Sequence, residues 1–300
     1  MLKIKKISCV ALIVLAIYSC DSQKNITSKN RIEVQGHRGD RGNFPENSIP
    51  AFISAVKKGV DVVELDVVIS KDQKVVVSHE PFMSSKYMLD VEGKLVTKEK
   101  QKSYNLYEMT YDSIRKFDSG SRGNEAFPQQ QKQKTYKPLL SEVIDSVEQY
   151  ISRNNLKSVR YNIEIKSEKA EYGISQPEPE QFCQLVMKII KEKRMEDKIS
   201  IQSFDPEVLK VMHKMFSKTK TAFLVGEGSL RKNLSKLDFY PETYSPNFKL
   251  VNKETVDSIR MLKMKIIPWT VNNEMDIDRM LQLKVDGIIT DYPEKVLKKL

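Results

Sequence analysis

Short apolar runs alternate with amphipathic stretches from Ile32 to the end of the chain, with the spacing of repeated β/α units. The apolar runs predict strands at Ile32 to Gly36, Val62 to Ile69, Arg160 to Lys166, Ser200 to Phe204, Thr221 to Val225, Thr243 to Pro246, Lys265 to Trp269 and Gly287 to Thr290. Helical periodicity lies between them, at Ser48 to Lys58, Leu140 to Arg153, Glu178 to Met195, Pro206 to Phe216, Lys253 to Leu262 and Asp276 to Leu283, and more weakly at Leu230 to Leu237. Eight such units closing on themselves make an α/β TIM (β/α)8 barrel, which presents reactive groups at the carboxyl ends of its strands. An open doubly wound sheet alternates in the same way, but no glycine-rich nucleotide loop follows the first predicted strand.

One segment breaks the rhythm. Phe82 to Lys137 separates a strand from a helix by far more than the few residues of an ordinary βα loop. It carries Ser119-Gly120-Ser121-Arg122-Gly123-Asn124 and a Gln/Lys-rich tract from Gln129 to Lys134, so part of it is expected to be mobile. Its place directly after His79 suits a cap beside an active site; a plain surface excursion is the other reading.

The chemistry gathers at strand ends. In Val62 to Pro81, Glu64 and Asp66 stand two apart in an otherwise apolar run, so in a strand both carboxylates leave one face. An unpaired carboxylate in a strand buried on both faces is costly, which points to a metal or acid/base site rather than to a solvated surface hairpin. Lys71-Asp72-Gln73-Lys74 reads as a turn, and centring it on Asp72 and Gln73 places Asp66 opposite His79 on the return strand. Gly36-His37-Arg38-Gly39 ends the first strand, and a histidine and an arginine flanked by glycines suit an anionic group; Asn47 or Ser48 can cap the helix that follows. Glu164 and Lys166 share a face of a third strand, as site residues or as a structural salt bridge. Glu64, Asp66 and Glu164 together offer the hard oxygen ligation of Mg²⁺ or Ca²⁺, while the lack of spare Cys and His argues against zinc. Of the three histidines, His213 lies inside a predicted helix and reads as a surface or packing residue.

Before Ile32 the chain reads as an address. Lys3, Lys5 and Lys6 precede an apolar run from Cys9 to Tyr18 that is too short to span a bilayer. Ile17-Tyr18-Ser19-Cys20 resembles the bacterial lipobox, which implies a signal peptide over 1–19, lipid on Cys20, and a polar tether over 20–30. The expected location is then the bacterial cell envelope, on a membrane-anchored lipoprotein either periplasmic or surface-exposed, with the folded unit at 31–300. The formal charge is +10, and loss of the three leader lysines leaves the remainder basic. Its Lys and Arg are spread without a DNA or RNA motif, so no nucleic-acid partner is expected; the charge favours anionic lipids or substrates. Cys183 falls in a helical apolar pattern and reads as core.

His-Arg-Gly, Pro-Glu-Asn-Ser, Glu-Leu-Asp-Val and Val-Val-Ser-His-Glu-Pro, in this order and spacing, resemble the glycerophosphodiester phosphodiesterase family. The likeness continues through Glu164-Ile165-Lys166, Gln202-Ser203-Phe204-Asp205, Pro268-Trp269-Thr270-Val271-Asn272 and Asp286 to Pro293. It implies an acid/base pair in His37 and His79, a divalent ion on Glu64, Asp66 and Glu164, and hydrolysis of a small-molecule glycerophosphodiester to glycerol 3-phosphate and an alcohol. The segment after His79 matches the family's insertion within the barrel, whereas Glu80 departs from an aspartate common there. Arg38 and Lys166 are then the expected ligands of phosphate oxygens, and Trp269 packs either against the substrate or into the core. No Ser or Cys stands in a nucleophile setting, which leaves water or the substrate's own hydroxyl; resemblance to related phosphodiesterases implies the glycerol 2-hydroxyl, through a cyclic phosphate. Two other readings stay open. One is a phospholipase-type enzyme landing on lipid through Pro81-Phe82-Met83 and Tyr87-Met88-Leu89; the other is an inactive, surface-anchored binding protein.

Overall fold

The computed structural model describes residues 31–300, so the expectations for the leader 1–19, for Cys20 and for the tether 20–30 lie outside the described residues. In chain order the elements are β1 (Glu33–Gly36), α1 (Ile49–Lys58), β2 (Val62–Ile69), β3 (Val75–Val77), α2 (Tyr111–Ile114), α3 (Leu140–Arg153), β4 (Arg160–Ile165), α4 (Pro179–Glu192), β5 (Ile199–Ser203), α5 (Pro206–Met215), β6 (Lys220–Val225), α6 (Leu230–Leu234), β7 (Thr243–Pro246), α7 (Lys253–Met261), β8 (Lys265–Ile266), α8 (Glu274–Gln282), β9 (Gly287–Thr290) and α9 (Pro293–Leu297). The parallel strands run β8-β7-β6-β5-β4-β2-β1-β9. Asp286 N–H donates to Ile266 O at 2.9 Å and Ile289 N–H to Pro268 O at 3.0 Å, which joins the two ends into a TIM barrel.

Alternation along the strands decides what each face meets. Val63, Leu65 and Val67 of β2 and Tyr161, Ile163 and Ile165 of β4 belong to the main core with α1, α3 and α4. Glu64, Asp66, Asn162 and Glu164 fall on the opposite face, inside the barrel. Below the carboxylates that interior is polar and hydrogen-bonded. Asn162 Nδ2 donates to Gln35 Oε1 at 2.9 Å and to Gln202 Oε1 at 2.8 Å, and Gln202 Nε2 donates to Glu64 Oε1 at 2.8 Å. The register sets Asp66 beside Glu164 and Glu164 beside Gln202, so the carboxylates meet because their strands are neighbours in step.

The hairpin differs from the expected register by one residue. Val67 pairs with Val77 and Ser78 N–H donates to Asp66 O at 3.0 Å, so Asp66 stands opposite Ser78 rather than His79. Gln73 adopts φ 58°, and Ser70 N–H donates to Lys74 O at 3.0 Å, closing a three-residue loop where a two-residue turn was expected. A slip of one would carry His79 to the wrong face, but β3 ends at Val77 and the chain leaves the ladder before His79.

The segment from Phe82 to Lys137 has a small core of its own. Val68 and Val76 of the hairpin pack with Met83, Met88, Leu106, Ile114 and Phe117, all buried. The tracts expected to be mobile are pinned: Ser119 N–H donates to Thr135 O at 2.9 Å, and Gln131 N–H to Asn43 O at 2.8 Å. Of the residues considered as a lipid landing surface, Met83, Tyr87 and Met88 are 0 %, 5 % and 0 % exposed and belong to this core, while Pro81, Phe82 and Leu89 are partly exposed. Cys183 is buried in the main core, and His213 stacks on Phe239 with ring centroids 4.0 Å apart.

Candidate active site

The turn after β1 has a demanding backbone. Arg38 and Gly39 have φ of 51° and 86°, a left-handed conformation that costs a non-glycine residue about 1–2 kcal/mol. A Cβ on Gly39 would also fall 2.7 Å from the backbone of Ala51. Arg38 is held there by three carboxylates: its backbone N–H donates to Glu64 Oε2 at 2.7 Å, its Nη1 donates to Glu46 Oε1 at 2.6 Å, and its Nε lies 3.3 Å from Asp66 Oδ2. Ser48 takes the cap of α1, its Oγ accepting from Ala51 N–H at 3.3 Å. Asn47 is left to hold Asp66, donating from Nδ2 to Oδ2 at 2.8 Å and accepting the Asp66 N–H at 3.3 Å.

One carboxylate oxygen each from Glu64, Asp66 and Glu164 lie within 4.8 Å of one another, all three buried. Lys166 Nζ stands 2.6 Å from Glu164 Oε1 and 4.0 Å from Asp66 Oδ1. Against burial, Arg38, His79, Lys166 and the Asn47 bond hold the Asp66 carboxyl well below the usual range. Burial raises Glu64 far above its ordinary value, and Asp66 and Glu164 push it further. Glu164 is raised as well, by burial and by Asp66, even with Lys166 opposing. Negative charge thus exceeds the positive charge beside it, and Asp66 Oδ1 is buried without a hydrogen-bond partner. An oxygen-only donor set with excess charge and an orphaned oxygen fits a hard divalent cation.

Both expected histidines border this cluster. His37 is 9 % exposed, and its Nδ1 lies 2.6 Å from Asp291 Oδ1. Burial holds the imidazole below its ordinary value, Arg38 and Arg41 adding to that and Asp291 opposing it. Asp291 is kept down at about 2 despite burial, by His37, Arg41 and the Asn272 Nδ2 bond of 2.7 Å. His79 has Nδ1 3.3 Å from Glu80 Oε1. Tyr87 O–H donates to Glu80 Oε2 at 2.9 Å, and the buried Lys137 Nζ donates to Ser78 Oγ at 2.7 Å, so both ends of the insertion close on this histidine.

Two adjoining cavities share His79, Glu164, Lys166 and Phe204. One, of about 310 Å³, is also lined by His37, Arg38, Arg41, Glu64 and Trp269. The other, of about 500 Å³, runs along the β4–α4 loop past Glu168, Glu171 and Asp205. Trp269 is half-buried, donates Nε1–H to Ser245 O at 2.9 Å, and meets Phe204 edge-on with centroids 5.3 Å apart; it is a cavity wall rather than core. The sequence motifs assign no individual role to Asp291, Glu46 or Arg41 and offer Asn47 only as a helix cap. Asp291 directly follows the last predicted strand, the same position relative to β9 that singled out His37 after β1.

A model of the "Glycerophosphoryl diester phosphodiesterase family" matches residues 37–295. The chain is 30 % identical over 269 residues to a glycerophosphodiester phosphodiesterase of Bacillus altitudinis, covering 89 % of this chain and 97 % of that protein. It is 31 % identical over 265 residues to the protein of that name from Caldanaerobacter subterraneus, covering 88 % and 96 %. Among solved structures, a glycerophosphoryl diester phosphodiesterase-like protein of Silicibacter pomeroyi superposes with a TM-score of 0.80 at 28 % identity, over 89 % of this chain and 92 % of that one. An Oleispira antarctica phosphodiesterase, solved with sn-glycerol-3-phosphate, shares the fold with a TM-score of 0.69 at 20 % identity, over 89 % and 95 %.

If the carboxylate cluster holds a divalent ion, Glu64→Gln, Asp66→Asn and Glu164→Gln should each weaken binding of that ion about tenfold or more, as loss of a charged ligand oxygen requires. Calorimetric titration reads this independently of turnover. Parent-like affinity in all three variants would remove the metal from this site.

Proposed function

The chain belongs to the glycerophosphoryl diester phosphodiesterase family and is a glycerophosphodiester phosphodiesterase, and from that premise we propose how its own residues carry the reaction. The observation that carries the reading is the convergence of His37, His79 and the Glu64, Asp66 and Glu164 cluster on one cavity. Glu64, Asp66 and Glu164 would hold a divalent ion, Mg²⁺ or Ca²⁺, whose chemistry when bound is to offset phosphodiester charge.

His37 is the base. Its Nδ1 faces Asp291 at 2.6 Å, which fixes the tautomer with Nε2 free to accept, and its lowered pKa keeps it neutral at neutral pH. His79, with Glu80 beside Nδ1, is the acid. His37 takes the proton of the glycerol 2-hydroxyl, the new O–P bond forms, the P–O bond to the alcohol breaks, and His79 protonates the departing oxygen. The product of that step is a cyclic glycerol phosphate. Water then opens the ring with the two roles reversed: His79 accepts its proton, and His37 returns one to the 2-oxygen, giving glycerol 3-phosphate. Holding the hydroxyl next to phosphorus within one substrate supplies much of the acceleration. The acid limb of kcat/KM follows protonation of His37, so it should lie below the ordinary histidine range.

For location, we keep the lipobox-like Ile17-Tyr18-Ser19-Cys20 as support for a lipid-anchored protein of the bacterial cell envelope.

A glycerophosphodiester lacking the 2-hydroxyl should bind and not turn over, read as release of the free alcohol. Turnover of that compound at the parent rate would eliminate the cyclic route and leave water as the attacking group. Cys20→Ala in the full chain should shift the protein from the detergent phase to the aqueous phase in partitioning, and unchanged partitioning would count against the anchor.

A further inference from the structure

Two arginines follow β1, and the structure treats them differently. Arg38 is 7 % exposed and is engaged by two carboxylates, Glu46 and Asp66. Arg41 gives only its Nε, which donates to Glu46 Oε2 at 2.8 Å. Its Nη1 lies 3.7 Å from Asp291 Oδ1, too far for a hydrogen bond, and neither terminal nitrogen hydrogen-bonds to any other described residue. The side chain is 19 % exposed and borders the smaller cavity beside His37 and Trp269.

The insertion fixes this guanidinium in place. Its carbon sits 4.5 Å over the ring centre of Phe127, and Gln130 Nε2 donates to the Arg41 backbone carbonyl at 2.6 Å. Stacking and a single anchored nitrogen leave a planar fork already oriented, so a ligand taking the other two nitrogens loses little side-chain freedom. Charge agrees with the geometry. Glu46 serves both arginines, and Asp291, the other carboxylate near Arg41, is hydrogen-bonded to His37 and Asn272 instead, so among the described residues the terminal nitrogens of Arg41 are left with no anion within hydrogen-bond distance. A fork of that kind matches paired oxygens of a phosphoryl group.

Resting on the phosphodiesterase reading, we propose that Arg41 binds the phosphoryl oxygens of the diester and of its phosphomonoester product, and that Phe127 and Gln130 hold it ready. Arg38, which lines the same cavity, also holds Glu46 and Asp66 in position. The insertion thereby takes part in substrate binding, through a residue that it stacks upon.

The test is calorimetric binding of sn-glycerol 3-phosphate and of inorganic phosphate to the parent, Arg41→Gln, Arg41→Lys and Phe127→Leu, beside KM and kcat for a glycerophosphodiester. Losing a charge-assisted bidentate contact should weaken both ligands about 10- to 100-fold in Arg41→Gln and raise KM more than it lowers kcat. Arg41→Lys should recover part of the affinity, and Phe127→Leu should fall between Arg41→Gln and the parent. A folded Arg41→Gln that binds both ligands as the parent does would overturn the proposal. So would a loss confined to kcat, which would instead tie Arg41 to Asp291 and His37. If the parent binds the monoester through Arg41 but hydrolyses no glycerophosphodiester, the phosphodiesterase reading fails while the anion site stands.

Discussion

Three carboxylates held side by side in the barrel mouth repel one another, and the surrounding structure is arranged to keep them there. The parallel register of β2 and β4 sets Asp66 against Glu164, and Glu64 lies one inward position away on the same strand. Burying such charges costs several kcal/mol per ion unless partners answer them. Arg38 and Asn47 from the loop between β1 and α1, Lys166 just after β4 and Gln202 of β5 answer in part. The answer is incomplete: Asp66 is pulled down while Glu64 and Glu164 are pushed up. Left-handed Arg38, the polar barrel interior and the Asn47 clasp are all readable as the scaffold of this frustrated cluster.

The two histidines are oriented by opposite parts of the chain. His37 is set by β1 and turned by Asp291, itself held by Asn272 from the loop after β8. His79 lies beyond the end of the hairpin, and its neighbour Glu80 is held by Tyr87 from the start of the insertion, with Lys137 from the insertion's end bonded to Ser78. The insertion reaches the other side of the cavity too, where Phe127 and Gln130 hold Arg41. Its separate apolar core makes this bracing possible, because a loop without one could not fix side chains on two walls at once.

Sequence periodicity carried the barrel and most of the cluster for a simple reason. Carboxylates two apart in an apolar run have one inexpensive explanation, and parallel strands read as continuous apolar runs. The hairpin register was lost to a single residue, Gln73, whose left-handed backbone lengthens the loop, and no glycine or asparagine there announces it. The short helices α2 and α9 are too brief to show a period. Met83, Leu106 and Ile114 are scattered among charged residues, so the insertion's core left no pattern to read. Glu46 and Arg41 act through a pairing of side chains across a turn, which depends on positive φ at Arg38 and Gly39 and is invisible to spacing.

The most direct test of the account is the proton balance of divalent-ion binding. Burial, together with repulsion from Asp66, raises the pKa values of Glu64 and Glu164, so in mildly acid solution the cluster should hold protons that a bound cation expels. Calorimetric titration in buffers of differing ionisation enthalpy measures that release, and it should shrink in Glu64→Gln. Tight binding with no proton release, or full hydrolytic activity in excess chelator, would contradict the claim that this cluster is a metal site at the centre of the reaction.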